Sequence, residues 1–221
     1  MGENRERRCD EKVDSAPVKI LALELSSTRG SIAVGEGEYI EENWPNDRRN
    51  SATFFEKLSS IRKKHGPADV VIVGLGPGSY AGIRIAVATA IGLAAAWQAR
   101  LLGAPSICAM AGDCADFFAI GDARRHSFFF AEVRERTLVR EPELLPEEEL
   151  RARIAANRAL PVFSAEALPQ FRGVEQRFPS AVELAKLAAT ENPGVTSAPL
   201  QPLYLREPSV TFPKSAPVGR K

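Results

Sequence analysis

Residues 70–99 constrain what this chain can become more than any other stretch. Val70-Val71-Ile72-Val73 is an unbroken apolar run, the pattern of a strand buried on both faces. Gly74, Gly76 and Gly78 surround Pro77 and force a tight turn, because glycine reaches backbone angles closed to other residues. Ser79 is placed to cap the following helix with its hydroxyl. From Ile83 to Ala96 the residues are apolar or small on every side of a helical wheel, and such a helix has to be covered all round. One side can lie on its own sheet. The other needs the rest of the domain or a second polypeptide.

Two phosphate-binding motifs fail at this turn. A dinucleotide loop wants a third glycine where Ser79 stands, and an acid some way on where Ala99-Arg100-Leu101-Leu102 supplies none. A Walker A loop wants Gly-Lys-Ser/Thr after its glycines, and no lysine is present. A membrane span is interrupted by Arg84 at one end and by Gln98-Ala99-Arg100 at the other. A buried, contact-forming helix is the better reading.

The 221 residues suit one large domain or two lobes, and an apolar share of 44% can fill a sizeable core. A net charge of +1 gives no global field that would advertise autonomous nucleic-acid binding. Cys9, Cys108 and Cys114 form no CxxC pair and leave an odd thiol, which suggests a reducing, cytoplasmic setting. His65 and His126 lie far apart in sequence, so no metal-ligand spacing is present, and no cofactor is expected.

In chain order, residues 1–17 are charged and lack large apolar side chains, the composition of a disordered leader. Val18–Leu25, Ser31–Gly35 and Tyr39–Asn43 read as a β-meander. Glu24 ends the first strand and Ser26-Ser27-Thr28 makes the turn, which reads either as a plain hairpin or as a phosphate loop with an acid beneath it. A helix over 51–62 carries Phe54, Leu58 and Ile61 on one stripe with Phe55 beside it. Pro105–Phe118 is predicted as a helix with Ile107, Met110 and Cys114 inward. A second lobe opens with strands around the charged turn Gly121–Arg125, where Asp122 and Arg124 are either catalytic or a local ion pair. Helices are expected from Pro146 and over 180–190, with an extended run over 200–206. The expected division is a lobe over 18–117, a smaller lobe over 118–206 and a tail over 207–221.

Four segments carry a family resemblance in their order and spacing: Ile20–Thr28, Gly76–Ile85, Gly121–Arg124 and Pro202–Arg206. Over about residues 18–214 they resemble the bacterial TsaB (YeaZ) family, with Gly-Pro-Gly-Ser-Tyr-Ala-Gly-Ile-Arg-Ile as the specific run. The resemblance implies an actin-like, two-lobed α/β (ASKHA) fold with ribonuclease H-like lobes. It also implies a non-catalytic subunit that binds and activates a TsaD-like catalytic protein, with a TsaE-like ATPase as a further component. Such complexes place a threonylcarbamoyl group on N6 of an adenosine in tRNAs that read ANN codons, so tRNA is met only through the complex and no membrane is involved. Family members also form homodimers through the surface that otherwise meets TsaD.

On that resemblance the partner surface is made by the helices over 51–63 and 79–97, with Phe54, Leu58, Tyr80, Gly82, Ile83, Ala86, Val87, Ala90 and Ile91 as its expected residues. Gly82, Ala86 and Ala90, four residues apart, would let a partner helix come close. The residues Glu24, Ser26, Ser27 and Thr28 would be a degenerate phosphate loop. The chain departs from the family pattern in having Glu24 where Asp is usual, Asn50-Ser51 for a His-Ser/Thr pair, and Arg125-His126-Ser127 for Arg-Gly-Glu. The alternative function is weak nucleotide binding or ATP hydrolysis at an ASKHA-type cleft.

Overall fold

The computed structural model describes residues 17–46, 51–110, 112–157 and 159–206. The leader through residue 16 and the tail over 207–221 lie outside them.

β1 (Ile20–Glu24), β2 (Arg29–Glu36) and β3 (Glu38–Pro45) form the expected antiparallel meander. α1 (Ala52–His65) leads into β4 (Val70–Gly74), parallel to β1, and α2 (Tyr80–Trp97) crosses to β5 (Arg100–Ala104), parallel to β4. Period-two alternation decides what each face of this sheet meets. Leu21, Leu23, Val71 and Val73 point into a core under α1 and α2, whereas Ile20, Ala22, Val70 and Ile72 point into a second core shared with the other half of the chain.

The helix expected over Pro105–Phe118 is corrected to one 3-10 turn, Ser106–Met110. All five residues of that turn are buried, Gly112 takes a left-handed φ of 56°, and the chain is already paired as a strand from Phe117. The second sheet contains β6 (Phe117–Asp122), β7 (Ser127–Arg134), β8 (Thr137–Leu138), β9 (Glu143–Pro146), β10 (Val162–Ser164) and β11 (Val174–Gln176). α3 (Glu147–Ala156) follows β9, and its buried Leu150 joins Ile120, Phe128 and Phe130 in a third core.

The chain then returns to the first sheet. α4 (Ala181–Ala189) lies across β1, β2 and β4, and β12 (Thr196–Ser197) pairs antiparallel with β5 to complete the order β12-β5-β4-β1-β2-β3. Polar groups of the meander satisfy the start of α4. Glu41 Oε1 accepts from Ser180 Oγ at 2.8 Å and from the Val182 amide at 3.2 Å, and Ser31 Oγ accepts from the Ala181 amide at 2.8 Å. These are the orphan amides of a helix N-terminus, met here by residues more than a hundred positions away. The result is an α/β fold of two mixed sheets.

Candidate functional site

The four segments that carried the resemblance converge. A cleft of about 650 Å³ between the two sheets is lined by Ser26–Thr28, by Pro77–Ala81, by Ile120–Arg125 and by Leu203–Arg206. Its two loops from the first sheet are clasped together by backbone. The Ser79 amide donates to the Ser26 carbonyl at 2.7 Å, and the Ser79 hydroxyl caps α2 by accepting from the Gly82 amide. A Cβ at Gly78 would stand 2.1 Å from the Ser26 carbonyl oxygen, and one at Gly82 would stand 2.2 Å from that of Leu25. The glycine spacing of the motif is therefore a close-approach requirement, with the start of α2 pressed onto the end of β1.

Glu24 lies beneath this clasp, fully buried. Its Oε1 accepts from the Ser26 amide at 2.6 Å, while Oε2 has no hydrogen-bond partner and rests beside Gly74 and Ser106. Burial pushes its carboxyl up from the ordinary value, against the lowering effect of the hydrogen bond from Ser26. Ser26, Ser27 and Thr28 line the cleft; Glu24 supports the loop from inside the protein. Among the described residues no group of His, Cys, Asp or Glu could hold a metal ion.

The opposite wall is the turn after β6. Arg124, Arg125 and His126 all take left-handed backbone angles, with φ of 64°, 54° and 57°. Asp122 holds the turn by accepting from the Arg124 amide at 2.7 Å and from its guanidinium at 3.0 Å, and the Asp122 amide in turn donates to Glu166 at 3.2 Å. Asp122 and Arg124 thus form the ion pair that was one of the two readings. Arg206 ties the first-sheet side of the cleft to the second by donating to Ser127 Oγ at 2.9 Å. Tyr204 stacks on Tyr80 with centroids 5.4 Å apart, and the Arg84 guanidinium lies over the same Tyr80 ring. Sequence reasoning missed Glu166 and Ser106, which reach the site only through the tertiary fold and carry no local motif.

The expected partner surface is redistributed. Phe54, Leu58, Ile83, Ala86, Val87 and Ala90 are all buried in the chain's own core under the first sheet, and Gly82 faces Leu25. They face inward because α1 and α2 must lay one stripe each on the sheet, and these residues are that stripe. Tyr80 and Ile91 remain exposed, at 46% and 49%. The open face of α2 is instead Ala81, Arg84, Ala88, Ile91, Gly92, Ala95 and Ala96, and on α1 Phe55 is exposed. By length and composition α2 could cross a membrane, yet its buried side packs onto β1, β4 and β5. Cys108 is core filler, and burial pushes its thiol up to about 12.

Comparison with known proteins bears on these features. Residues 55–145 match the sequence model of the TsaD family, tRNA N6-adenosine threonylcarbamoyltransferase. An uncharacterized protein of Mycobacterium tuberculosis is 32% identical over 143 residues, which cover 63% of this chain. The match spans 65% of that relative's length, just under two thirds. An uncharacterized Mycobacterium leprae protein is 29% identical over 144 residues, 38% of its length. A crystal structure from Pseudomonas aeruginosa, described as similar to peptidase YeaZ, superposes with a TM-score of 0.66 at 23% identity, covering 86% of this chain and all of that one. YeaZ from the same organism gives 0.60 at 21% identity, over 78% of this chain and 92% of that one. The chain therefore has the YeaZ fold, and a segment of it matches the TsaD family model.

Proposed function

We propose that this chain is a non-catalytic subunit for tRNA threonylcarbamoylation, binding and activating a TsaD-like catalytic protein. A TsaE-like ATPase is a further partner, the chain pairs with itself when alone, and the setting is the cytoplasm. The observation that carries this reading is the open face of α2, where Ala81, Ala88, Ile91, Gly92 and Ala95 leave apolar or small groups in solvent on the most apolar helix of the fold. Such a face lets another helix approach closely with little side-chain entropy to lose. The acids among the lining residues are engaged within the protein, Asp122 by Arg124 and Glu166 by the Asp122 amide, which supports the non-catalytic reading.

The test is co-purification with the TsaD-like protein of the same organism, followed by size-exclusion chromatography with light scattering. A one-to-one complex replacing a homodimer is expected. Ala88→Arg should abolish both associations while leaving the melting temperature unchanged, since Ala88 is exposed. Unaltered association of that variant would remove α2 from the interface.

A second reading rests on the hydroxyl-lined cleft of about 650 Å³. Its size and the Ser26–Thr28 loop suit a nucleotide, and calorimetric titration with ATP and ADP tests it.

A further inference from the structure

At the end of the first sheet opposite the cleft, α1 finishes in Arg62, Lys63, Lys64 and His65. The cleft loops follow the carboxyl ends of β1 and β4, whereas this segment precedes β4. Ser59, Arg62, Lys63, Gly66, Pro67 and Trp97 line a shallow pocket here of about 350 Å³. Three properties set the patch apart from an ordinary basic helix end.

Its cations are not spent on carboxylates: among the described residues, Arg62, Lys63 and Lys64 form no ion pair, unlike Lys57 one turn earlier, which meets Glu42 at 2.8 Å. Cations at a helix C-terminus are favoured by the dipole, which accounts for one or two of them but not for what lies beside them. Beside them is an aromatic floor. The Arg62 guanidinium lies 5.8 Å from the centroid of the half-buried Trp97 indole, so a planar cation and a planar ring stand together at the pocket. Finally, none of the large exposed apolar side chains (Val18, Ile40, Phe55, Tyr80, Ile91, Val139, Leu144 and Tyr204) belongs to the patch.

We infer that this pocket takes a nucleotide of a single-stranded nucleic acid, with the base against the Arg62–Trp97 pair and neighbouring phosphates on Lys63 and Lys64. A stacking plane with adjacent cations is what unpaired bases on a phosphate backbone require. A membrane surface would call for exposed apolar side chains around the cations, and an acidic peptide would leave the flat pocket unused. The chain's net charge of +1 does not oppose this, since the contact is local and its strength depends on neighbouring cations rather than on the whole molecule. The inference stands apart from the partner reading, because neither the open face of α2 nor the cleft contributes to it.

The test uses the full chain and a fluorescein-labelled single-stranded RNA oligonucleotide of mixed sequence, read by anisotropy, with tryptophan emission followed in parallel. Trp44 is buried, so saturable quenching would report on Trp97. Expected are salt-dependent binding, quenching, weaker binding of duplex RNA of the same length, and no binding to phosphatidylserine vesicles. Lys63→Gln/Lys64→Gln should weaken binding roughly fivefold and flatten the salt slope by about 1.4, the value for two lost phosphate contacts on a single strand. Both lysines are surface residues, and circular dichroism melting checks that the variant folds. Unchanged affinity of the variant, absent quenching, no binding at low salt, or preference for duplex or vesicle would each overturn the assignment. Association with a TsaD-like protein, measured on the same preparation, reports separately on the partner reading.

Discussion

The carboxylate of Glu24 occupies the space that a side chain at residue 74 would need: a Cβ on Gly74 would stand 1.9 Å from Glu24 Oε2 and 2.5 Å from Ser106 Oγ. The strand-ending glycine is thus explained by an acid on the neighbouring strand. Both belong to parallel strands whose ends carry the cleft loops.

That acid gives the fold a pH dependence with a definite sign. Burial holds its pKa above the ordinary 4.5. A group that binds its proton more tightly when folded contributes stability that is full below the unfolded value and lost as pH rises through the folded one. Glu24→Gln keeps an acceptor for the Ser26 amide and cannot ionise. Its melting temperature relative to wild type should therefore rise with pH above about 4.5, where the unfolded chain loses the proton that the folded protein holds more tightly. A gap that does not change with pH would mean the carboxyl binds its proton no more tightly in the folded protein than in the unfolded chain.

The two faces of α2 should respond oppositely to substitution. At Gly92 a Cβ would meet nothing within 4 Å, so Gly92→Ala is expected to raise stability by about 1 kcal/mol through helix propensity alone. Fully buried Ala86 is the contrast. Ala86→Arg would force a charge into the core under the first sheet and should cost about 3 kcal/mol or more. Urea denaturation of the two variants reads both numbers, and a mild loss for Ala86→Arg would contradict the inward orientation.

Glu41 joins the meander to α4, and its removal should be felt by both. Glu41→Ala leaves the Ser180 hydroxyl and the Val182 amide without their acceptor, an expected loss of about 1–2 kcal/mol. Because α4 also covers β1, β2 and β4, thermal melting should stay a single transition at lower temperature. A split transition would show α4 detaching alone.

Strongly periodic segments were legible. The apolar runs Ile20–Leu23 and Val70–Val73 announced buried strands, Ser79 announced its cap, and Phe54, Leu58 and Ile61 announced an inward stripe. What a linear reading could not supply was the direction in which a uniformly apolar helix faces. With Ile83, Ala86, Val87 and Ala90 as apolar as Ala81, Ala88 and Ile91, Arg84 alone marks the outer side, and beyond it the position of the sheet decides. The helix expected over 105–118 failed for a related reason: apolar residues there fill the space between the sheets in a single turn rather than repeating along an axis. The cleft was legible as four separate motifs, but Glu166 entered its wall, and Ser106 the layer beneath it, only through folding.

The return of α4 and β12 to the first sheet has a consequence during synthesis. When β5 leaves the ribosome, one face of its sheet, with Ile20, Ala22, Ile72 and Leu102, has no helix to lie under, and the outer edge of β5 has no neighbour. Both covers emerge only after the whole second sheet has been translated, a delay on the order of 5–20 s at ordinary elongation rates. For that interval the nascent chain presents a sticky face and an open strand edge, the features that invite wrong pairing. A message that stalls before Ala189 would release a fragment prone to aggregate, and this half of the protein cannot mature before the other half has been made.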